Sequence, residues 1–397
     1  MRKCKMLSTV HFAAMTLCLA FAASVVQTAD PNTWPKIQLP HMRAETIVSV
    51  PAEGTENVGS ELRVGVDGER FDVAAIEHSL SFQQTSARNL SNTQRTRVTF
   101  EDAENLFRTP EFRGAAGTES HSAKPRSKRH IFGPDNRSKI TEDFQRIFPF
   151  SAVAQLSTGC SGILIGPRQV LTAAECIHNG RRYRGNAKNL QVGLTKTGNH
   201  TRRRTSSQNE VLSGRDLHGL EWYDVEQLYL PDGWLTPSYG EQQESFNYAV
   251  LELAEEHNHN CMEVGVSSMQ NTNRMQRIHF SSFDDYNHHP DPALTYRYCY
   301  IVADSTKYLY EKCDSTKSSV GAGIYLRLWD SDQMHWSRRV MAVKTSHTER
   351  MRIKGKRQRA GRDVRLTLLN FGQICYWVMR DFEACSRGRI KDACLMA

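Results

Sequence analysis

Short apolar or alternating runs recur from about residue 150 to residue 343, and turn signals separate them. Such runs are typical of β-strands, because alternate side chains of a strand point to opposite faces. No strand–helix alternation is visible, which favours an all-β fold of two small barrels or a sandwich. The predicted strands lie at 151–156, 161–166, 168–173, 223–230, 246–253, 276–280, 323–329 and 338–343. Residues 372–382 predict a closing C-terminal helix.

The N-terminal third has a different pattern. Basic residues precede an apolar run over 6–26, which predicts a secretory signal peptide within 1–29. A signal anchor that stays in the membrane is the alternative, but polar residues interrupt the run and favour secretion. From 30 to 129 the chain is polar and contains no cysteine, so it is predicted to be a loosely structured pro-region, with a strand or an amphipathic helix over 97–107.

A basic cluster marks the end of this region. Arg126, Lys128 and Arg129 have the spacing that furin-like convertases accept, and the composition changes at the same point. Cleavage after Arg129 is therefore predicted, and it would leave 130–397 as the mature domain. The alternative is a solvated linker that is never cut.

Composition and cysteine count favour an exported globular protein. The 397 residues are 39% hydrophobic and 24% charged, which allows one large or two moderate domains. Two of the 10 cysteines, Cys4 and Cys18, lie in the predicted signal, which leaves an even number for disulfides in an oxidising compartment. Glycosylation sequons begin at Asn89, Asn136 and Asn199. The sequence thus predicts a secreted, extracellular glycoprotein with no membrane span after signal removal.

Residues 162–165 and 170–176, flanked by Cys160 and Cys176, resemble the first barrel of chymotrypsin-like serine proteases. The phrases at 157–160, 176–178, 277–281, 313–314 and 373–377 point more narrowly to the secreted vertebrate subfamily of serine protease 23 and inactive serine protease 35. The resemblance implies a chymotrypsin-like double β-barrel over about 130–388. It also implies the disulfides Cys160–Cys176, Cys299–Cys313 and Cys375–Cys385. Cys261 and Cys394 are left to pair with each other, or one of them is free for an intermolecular bond.

The resemblance assigns the three catalytic positions one at a time. Glu175 stands where the family has the general-base histidine, and an ordinary carboxylate is too weak a base for a serine hydroxyl. Asn247 stands at the acidic position, and an amide cannot stabilise an imidazolium. Aligning Gly321 and Gly323 with the glycines that follow the family's serine places Val320 at the nucleophile position. Valine has no nucleophilic atom.

Rescue by neighbouring residues is disfavoured. Ser318 and Ser319 carry hydroxyl groups, but a shift of one residue along the chain changes the direction in which the side chain points. The sequence also supplies no general base for a serine displaced in this way. His178 lies beyond the disulfide cysteine, outside the short reach that a hydrogen-bonding base needs. The sequence therefore predicts a noncatalytic homologue that acts by binding. The alternative is a secreted endopeptidase with a rearranged site, in which Glu175 acts on water or one of the two serines attacks.

No cofactor and no specific metal site is predicted. Pairs of histidines at 257 and 259 and at 288 and 289 lie near Cys261 and near Asp284 and Asp285, respectively. None of these groups completes a recognisable structural zinc spacing.

Positive charge is concentrated in one late stretch. Residues 350–365 contain eight Lys or Arg residues and a single aspartate. The β-like runs on either side of this stretch predict that it is an exposed loop. The central basic patch comprises Lys354, Lys356, Arg357, Arg359 and Arg362. A second cluster covers 202–204. In a secreted protein such patches can bind an extracellular protein or glycosaminoglycan partner, and the compartment argues against nucleic acid. The alternative is a solvated loop without a ligand.

Overall fold

The structure is a computed structural model. It describes residues 33–34, 39–47, 62–64, 70–101, 132, 135–196, 219–236, 241–266, 276–284, 292–353 and 355–386. Strands dominate these residues and form two large sheets and one small two-stranded sheet. Each large sheet closes into a six-stranded barrel, so the prediction of a chymotrypsin-like double β-barrel is confirmed.

The part of the chain before residue 130 contains regular structure. Its elements are β1 Met42–Ile47, β2 Leu62–Val64, β3 Arg70–Asp72, α1 Val73–Leu80, β4 Phe82–Ser86 and β5 Thr93–Phe100. The helix α1 begins after Asp72, whose side chain accepts a hydrogen bond from the backbone N of Ala75 at 3.0 Å and so satisfies a free donor of the first turn.

The next elements build the first barrel. They are α2 Glu142–Gln145, β7 Val153–Leu156, β8 Ser161–Leu164, β9 Gln169–Thr172, β10 Gln191–Thr195, β11 Leu220–Pro231, α3 Asp232–Leu235, α4 Glu241–Glu244 and β12 Ala249–Leu253. The short strand β6 Ser138–Lys139 precedes them and pairs with a strand of the second large sheet. The order β11-β10-β7-β8-β9-β12 closes on itself because β11 also pairs with β12. Every residue of β8 and β9 is buried, which explains the apolar residues Ile163, Leu164, Val170 and Leu171 within them.

The second barrel follows along the chain. Its elements are β13 Glu263–Val264, β14 Arg277–Asp284, β15 Ala293–Asp304, β16 Tyr308–Glu311, β17 Gly323–Asp330, β18 His335–Val343, β19 Thr348–Ile353, β20 Lys356–Arg365, α5 Leu368–Met379 and α6 Phe382–Ser386. The barrel closes through the pairing of β18 with β20. The strands β19 and β20 continue beyond it as a hairpin.

The segment before residue 130 extends the first sheet, which differs from the predicted loosely structured pro-region. β4 pairs with β11, β5 with β4 and β1 with β5, so residues 42–100 add three strands to the first barrel. In β5 only Thr96 and Val98 are fully buried, and most of their neighbours are exposed. Because one face of these added strands meets solvent, their sequence is mostly polar and resembles an unfolded segment.

The predicted closing helix is present as α5 and begins at Leu368. Thr367 caps it, because its Oγ1 accepts a hydrogen bond from the backbone N of Asn370 at 3.2 Å. Trp377 on this helix is fully buried, and its ring centroid lies 5.6 Å from that of Phe82. The helix therefore packs against the strands contributed by the N-terminal segment.

Three disulfides are present among the described residues: Cys160–Cys176, Cys299–Cys313 and Cys375–Cys385. They are the pairs that the resemblance implies. Cys261 is also disulfide-bonded, whereas Cys394 lies outside the described residues. None of the helices in the described part of the chain has the length and apolar character needed to cross a membrane.

Candidate functional site

Glu175, the predicted general-base position, lies just after β9, at the junction of the two barrels. Residues 174–176 form one turn of 3₁₀ helix, which the disulfide Cys160–Cys176 ties to the start of β8. Ser346, three residues after β18 of the second barrel, contacts Glu175 on this turn. Glu175 therefore joins the two barrels.

Neighbouring donors engage the Glu175 carboxylate. Its Oε1 accepts hydrogen bonds from Nδ2 of Asn247 at 2.9 Å and from the backbone N of Ser346 at 2.9 Å. Its Oε2 accepts one from Oγ of Ser346. In return the backbone N of Glu175 donates to Oδ1 of Asn247 at 2.8 Å. The fully buried Asn247 amide thus both donates to Glu175 and accepts from it, and buried polar groups need such partners.

Val320, the predicted nucleophile position, lies between the short helix at 317–319 and β17. Val320 is only 6% exposed, and its carbonyl O accepts a hydrogen bond from the backbone N of Ser161 at 2.9 Å. Sγ of Cys176 lies 3.8 Å from the same carbonyl O. The structure therefore brings Val320 next to the turn that carries Glu175, and it brings Asn247 to the other side of that turn.

The turn after Val320 requires glycine. Gly321 has a φ of +89°, and a Cβ there would lie 2.2 Å from the carbonyl O of Ser161 and 2.2 Å from Oγ1 of Thr172. Its backbone N donates to the carbonyl O of Lys344 at 2.8 Å. Only a residue without a side chain fits this conformation and this close approach, so Gly321 fixes the shape of the loop after Val320.

A buried ion pair contacts the residues that precede Val320. Asp284 at the end of β14 and Arg297 on β15 are both fully buried and form a salt bridge. Asp284 also accepts hydrogen bonds from Ser282 Oγ at 2.9 Å, Thr295 Oγ1 at 2.7 Å, Thr316 Oγ1 at 2.8 Å and Ser319 Oγ at 2.7 Å. Burial raises the pKa of Asp284, but the Arg297 guanidinium and these hydroxyls outweigh burial and hold the pKa below its ordinary value.

The segment after the predicted cleavage point docks beside this cluster. The carboxylate of Asp314 accepts hydrogen bonds from the backbone N of Phe132 at 2.6 Å and of Asn136 at 2.8 Å. The carbonyl O of Asp314 accepts one from Arg297 at 2.8 Å. The start of the predicted mature domain is therefore anchored to the residues that lead into the Val320 loop.

His178 does not face the serines that precede Val320. Its side chain is buried, its Nδ1 accepts a hydrogen bond from the backbone N of Gly180 at 3.1 Å, and its ring meets the edge of Tyr183. Burial lowers the pKa of His178 to about 4. A neutral, packed imidazole of this kind has a structural role.

This burial predicts a pH dependence of stability. The pKa of His178 is about 4 in the folded chain against about 6.5 in the unfolded chain. The free energy of unfolding is therefore highest above pH 6.5, where the imidazole is neutral in both states, and it decreases as the pH falls toward 4. Relative to the wild type, His178→Asn should remove up to about 3 kcal/mol of this pH dependence, since asparagine keeps an acceptor but does not titrate. Denaturant unfolding at pH 4.5 and pH 7.5 measures the difference. Equal slopes in the two proteins would contradict the assignment.

The predicted modification sites are only partly described. Asn89 and Asn136 are exposed, as glycan attachment requires. Asn199, the predicted processing residues Arg126, Lys128 and Arg129, and the second basic cluster at 202–204 lie outside the described residues.

The residues weighed for zinc are engaged elsewhere. Nε2 of the buried His257 lies 2.9 Å from the carbonyl O of Gly166, and its Nδ1 accepts a hydrogen bond from the backbone N of His259 at 3.1 Å. Cys261 is in a disulfide, and Asp284 is paired with Arg297. Asp285, His288 and His289 lie outside the described residues.

The basic stretch is a β-hairpin, which corrects the prediction of an exposed loop. Alternating side chains let a strongly charged sequence form two paired strands, because one face stays in solvent while Met351, Ile353 and Gln358 on the other face are partly buried. Arg362 does not belong to a free patch, since it is ion-paired with Glu244 and with Glu349 and lies over the ring of Tyr308. Lys356, Arg357 and Arg359 are exposed, and the side chain of Lys354 lies outside the described residues.

A buried charge cluster behind the Val320 loop was not predicted. Lys344 is buried, and its Nζ donates to Glu311 at 2.7 Å and to Asp363 at 3.0 Å. Burial lowers the pKa of Lys344, but the two carboxylates raise it above its ordinary value. Burial raises the pKa of Asp363 to about 7, against the effect of Lys344. Sequence patterns assign such residues to the surface, so they gave no signal of this cluster.

The comparisons with known proteins agree with the fold. The Trypsin family model matches residues 139–282. Serine protease 23 of Bos taurus is 34% identical over 274 residues, which cover 69% of this chain and 72% of the relative. Inactive serine protease 35 of Mus musculus is 34% identical over 300 residues, 67% of this chain and 72% of the relative. Serine protease 23 of Mus musculus is 30% identical over 383 residues, 94% of this chain and 97% of the relative.

The last of these matches includes the N-terminal segment, which the structure joins to the first barrel. The relatives are named serine protease 23 and inactive serine protease 35, and these two names do not decide the activity of this chain. Sequence identity over most of each relative, the Trypsin match and the two closed barrels lead to one conclusion: the chain belongs to the trypsin family of serine proteases and their homologues, in the group of serine protease 23 and inactive serine protease 35.

Proposed function

We propose that this chain is a secreted, noncatalytic homologue of trypsin-like serine proteases that acts by binding an extracellular partner. The observation that carries the proposal is Val320. It occupies the nucleophile position when Gly321 and Gly323 are aligned with the family's glycines, and its side chain ends in two methyl groups. No acyl intermediate can form on a hydrocarbon.

The neighbouring hydroxyls do not replace the missing nucleophile. Ser319 is fully buried, donates to Asp284 at 2.7 Å and accepts from the backbone N of Thr316 at 3.0 Å. Removing its proton would place an alkoxide against a carboxylate, which electrostatic repulsion opposes. Ser318 is half-buried with its Oγ 3.3 Å from that of Thr316. Within the described ranges no imidazole hydrogen-bonds to Ser318 or Ser319.

The base side of the site supports the same function. Three of the roughly four lone-pair positions of the Glu175 carboxylate already accept hydrogen bonds from Asn247 and Ser346. A general base must reach the proton that it removes, and these donors hold the carboxylate toward the second barrel instead. The surrounding frame is complete, so its value lies in stability and in surface for binding.

Export is part of the proposal. A signal peptide is predicted within 1–29, and the chain contains three disulfides among its described residues. Disulfides persist in oxidising compartments, which supports an extracellular location.

A fluorophosphonate probe tests the proposal on protein recovered from conditioned medium. We expect no covalent labelling, because the probe reacts only with an activated serine hydroxyl. Active trypsin in the same reaction shows that the probe works. Ser319→Ala and Ser318→Ala are run in parallel. Labelling of the wild type that disappears in either variant would establish a rearranged endopeptidase, and failure to recover the chain from the medium would remove the secreted role.

A further inference from the structure

Four arginines occupy one face of the hairpin formed by β19 and β20. Arg350 lies directly opposite Arg359, and Arg352 lies directly opposite Arg357. Opposed residues of an antiparallel pair share a face, and so do residues two apart on one strand. Arg350, Arg352, Arg357 and Arg359 therefore form a two-by-two array, here called the arginine face.

The charge of the arginine face is not neutralised within the described part of the chain. All four residues are exposed, and none of them forms an ion pair or a hydrogen bond from its side chain with another described residue. The acidic neighbour Glu349 lies on the opposite face and pairs with Arg362 at 3.5 Å. That opposite face also carries Met351, Ile353 and Gln358, which are partly buried. The arginine face is thus cationic, whereas the opposite face carries Glu349 and partly buried side chains beside the exposed Lys356.

This array is unfavourable for the isolated hairpin. Like charges directly opposite each other across two strands destabilise the pairing, and here two such pairs are adjacent. A bound anion would offset the repulsion. The four arginine positions are spaced about 5 Å apart across the strands and about 7 Å apart along them. A single small anion cannot contact four guanidinium groups with this spacing. An extended chain of anionic groups can.

We propose that the arginine face binds a sulfated glycosaminoglycan chain. The proposal rests on the extracellular binding function proposed above and names its partner. Guanidinium groups bind oxyanions through two parallel hydrogen bonds, which suits sulfate groups repeated along a polysaccharide. An anionic membrane surface is a poorer occupant, because the face carries no apolar side chain to insert. The site differs from the sequence prediction, since Lys354, Lys356 and Arg362 are excluded and Arg350 and Arg352 are added.

Heparin affinity of the full chain tests the proposal. Arg352→Gln combined with Arg357→Gln removes one opposed pair. The matched control combines Arg181→Gln with Arg182→Gln, which removes two exposed positive charges from a turn of the first barrel. At 0.15 M salt we expect about tenfold weaker heparin binding for the hairpin variant. The slope of log Kd against log salt should also become shallower, because fewer counterions are released. We expect a change of less than about twofold for the control.

A second pair of measurements separates loss of the ligand site from loss of the fold. The hairpin variant should keep or slightly raise its melting temperature, because it removes like-charge repulsion. Chemically desulfated heparin and phosphatidylserine vesicles serve as the alternative ligands. The proposal is overturned by unchanged heparin binding in the hairpin variant, by an equal loss in the control, by full retention on desulfated heparin, or by vesicle binding that depends on the same arginines. The probe reaction at the Val320 site is independent of all these outcomes.

Discussion

Phe82→Ala is expected to lower the free energy of unfolding by about 3 to 5 kcal/mol. Phe82 is 1% exposed, and its ring centroid lies 5.6 Å from that of Trp377 and 5.9 Å from that of Tyr376. Alanine would leave a cavity between β4 and the C-terminal helix, which the surrounding rings cannot fill. Chemical denaturation of the full chain, followed by tryptophan fluorescence, gives the value.

The control for this substitution is Phe144→Ala. Phe144 is 57% exposed on a short helix, so the same loss of atoms should change the stability by less than about 0.5 kcal/mol. A loss below about 1 kcal/mol for Phe82→Ala would mean that the N-terminal segment does not pack on the barrel as described. A large loss in both variants would point to a general sensitivity to truncation.

The contacts of the N-terminal segment bear on the predicted cleavage after Arg129. The segment that carries Phe82 is held by strand pairing with β11, by a hydrogen bond from the backbone N of Asp232 to the carbonyl O of Ser81 at 2.7 Å and by the Arg95–Asp232 ion pair at 2.7 Å. These contacts do not depend on chain continuity at residue 129. We infer that cleavage there would produce two chains that stay together without a disulfide between them.

Hydrophobic patterning predicted the central strands well. The predicted strand 323–329 is β17 Gly323–Asp330, and the predicted strand 338–343 lies within β18 His335–Val343. Both are central strands whose residues are mostly buried, so their apolar runs stand out from the chain. The strand β15 Ala293–Asp304 was missed, since exposed Tyr298 and Tyr300 obscure the alternation that marks a half-buried strand.

The candidate site was predictable only where residues lie close together along the chain. Glu175 and Val320 could be found because each sits in a short phrase whose neighbours fix the register. The contact of Glu175 with Ser346 joins residues from different barrels, and no local period records it. Likewise the pairing of Asp284 with Arg297 was not predicted, because a buried ion pair has no signature in a single sequence.

Asp284→Asn is expected to destabilise the chain by about 3 to 5 kcal/mol at neutral pH, because it leaves the buried Arg297 guanidinium without its counterion. The loss should shrink as the pH falls below the ordinary carboxyl pKa of about 3.9. Because the pKa of Asp284 is lower in the folded chain than in the unfolded chain, the ionised carboxylate stabilises the fold fully above about pH 3.9. This stabilisation is lost as the pH falls further and acid protonates the group. Unfolding free energies at pH 7 and pH 3 measure both effects.

Two further variants make the result specific to the pair. Asp143→Asn removes an exposed carboxylate from a short helix and should cost less than about 0.5 kcal/mol. Combining Asp284→Asn with Arg297→Met removes both charges, so it should recover part of the stability lost in the single variant. A double variant that is less stable than Asp284→Asn by a full additional loss would mean that the two residues act separately. In that case the hydrogen bonds from Thr316 and Ser319 to Asp284, rather than the pair with Arg297, position the loop before Val320.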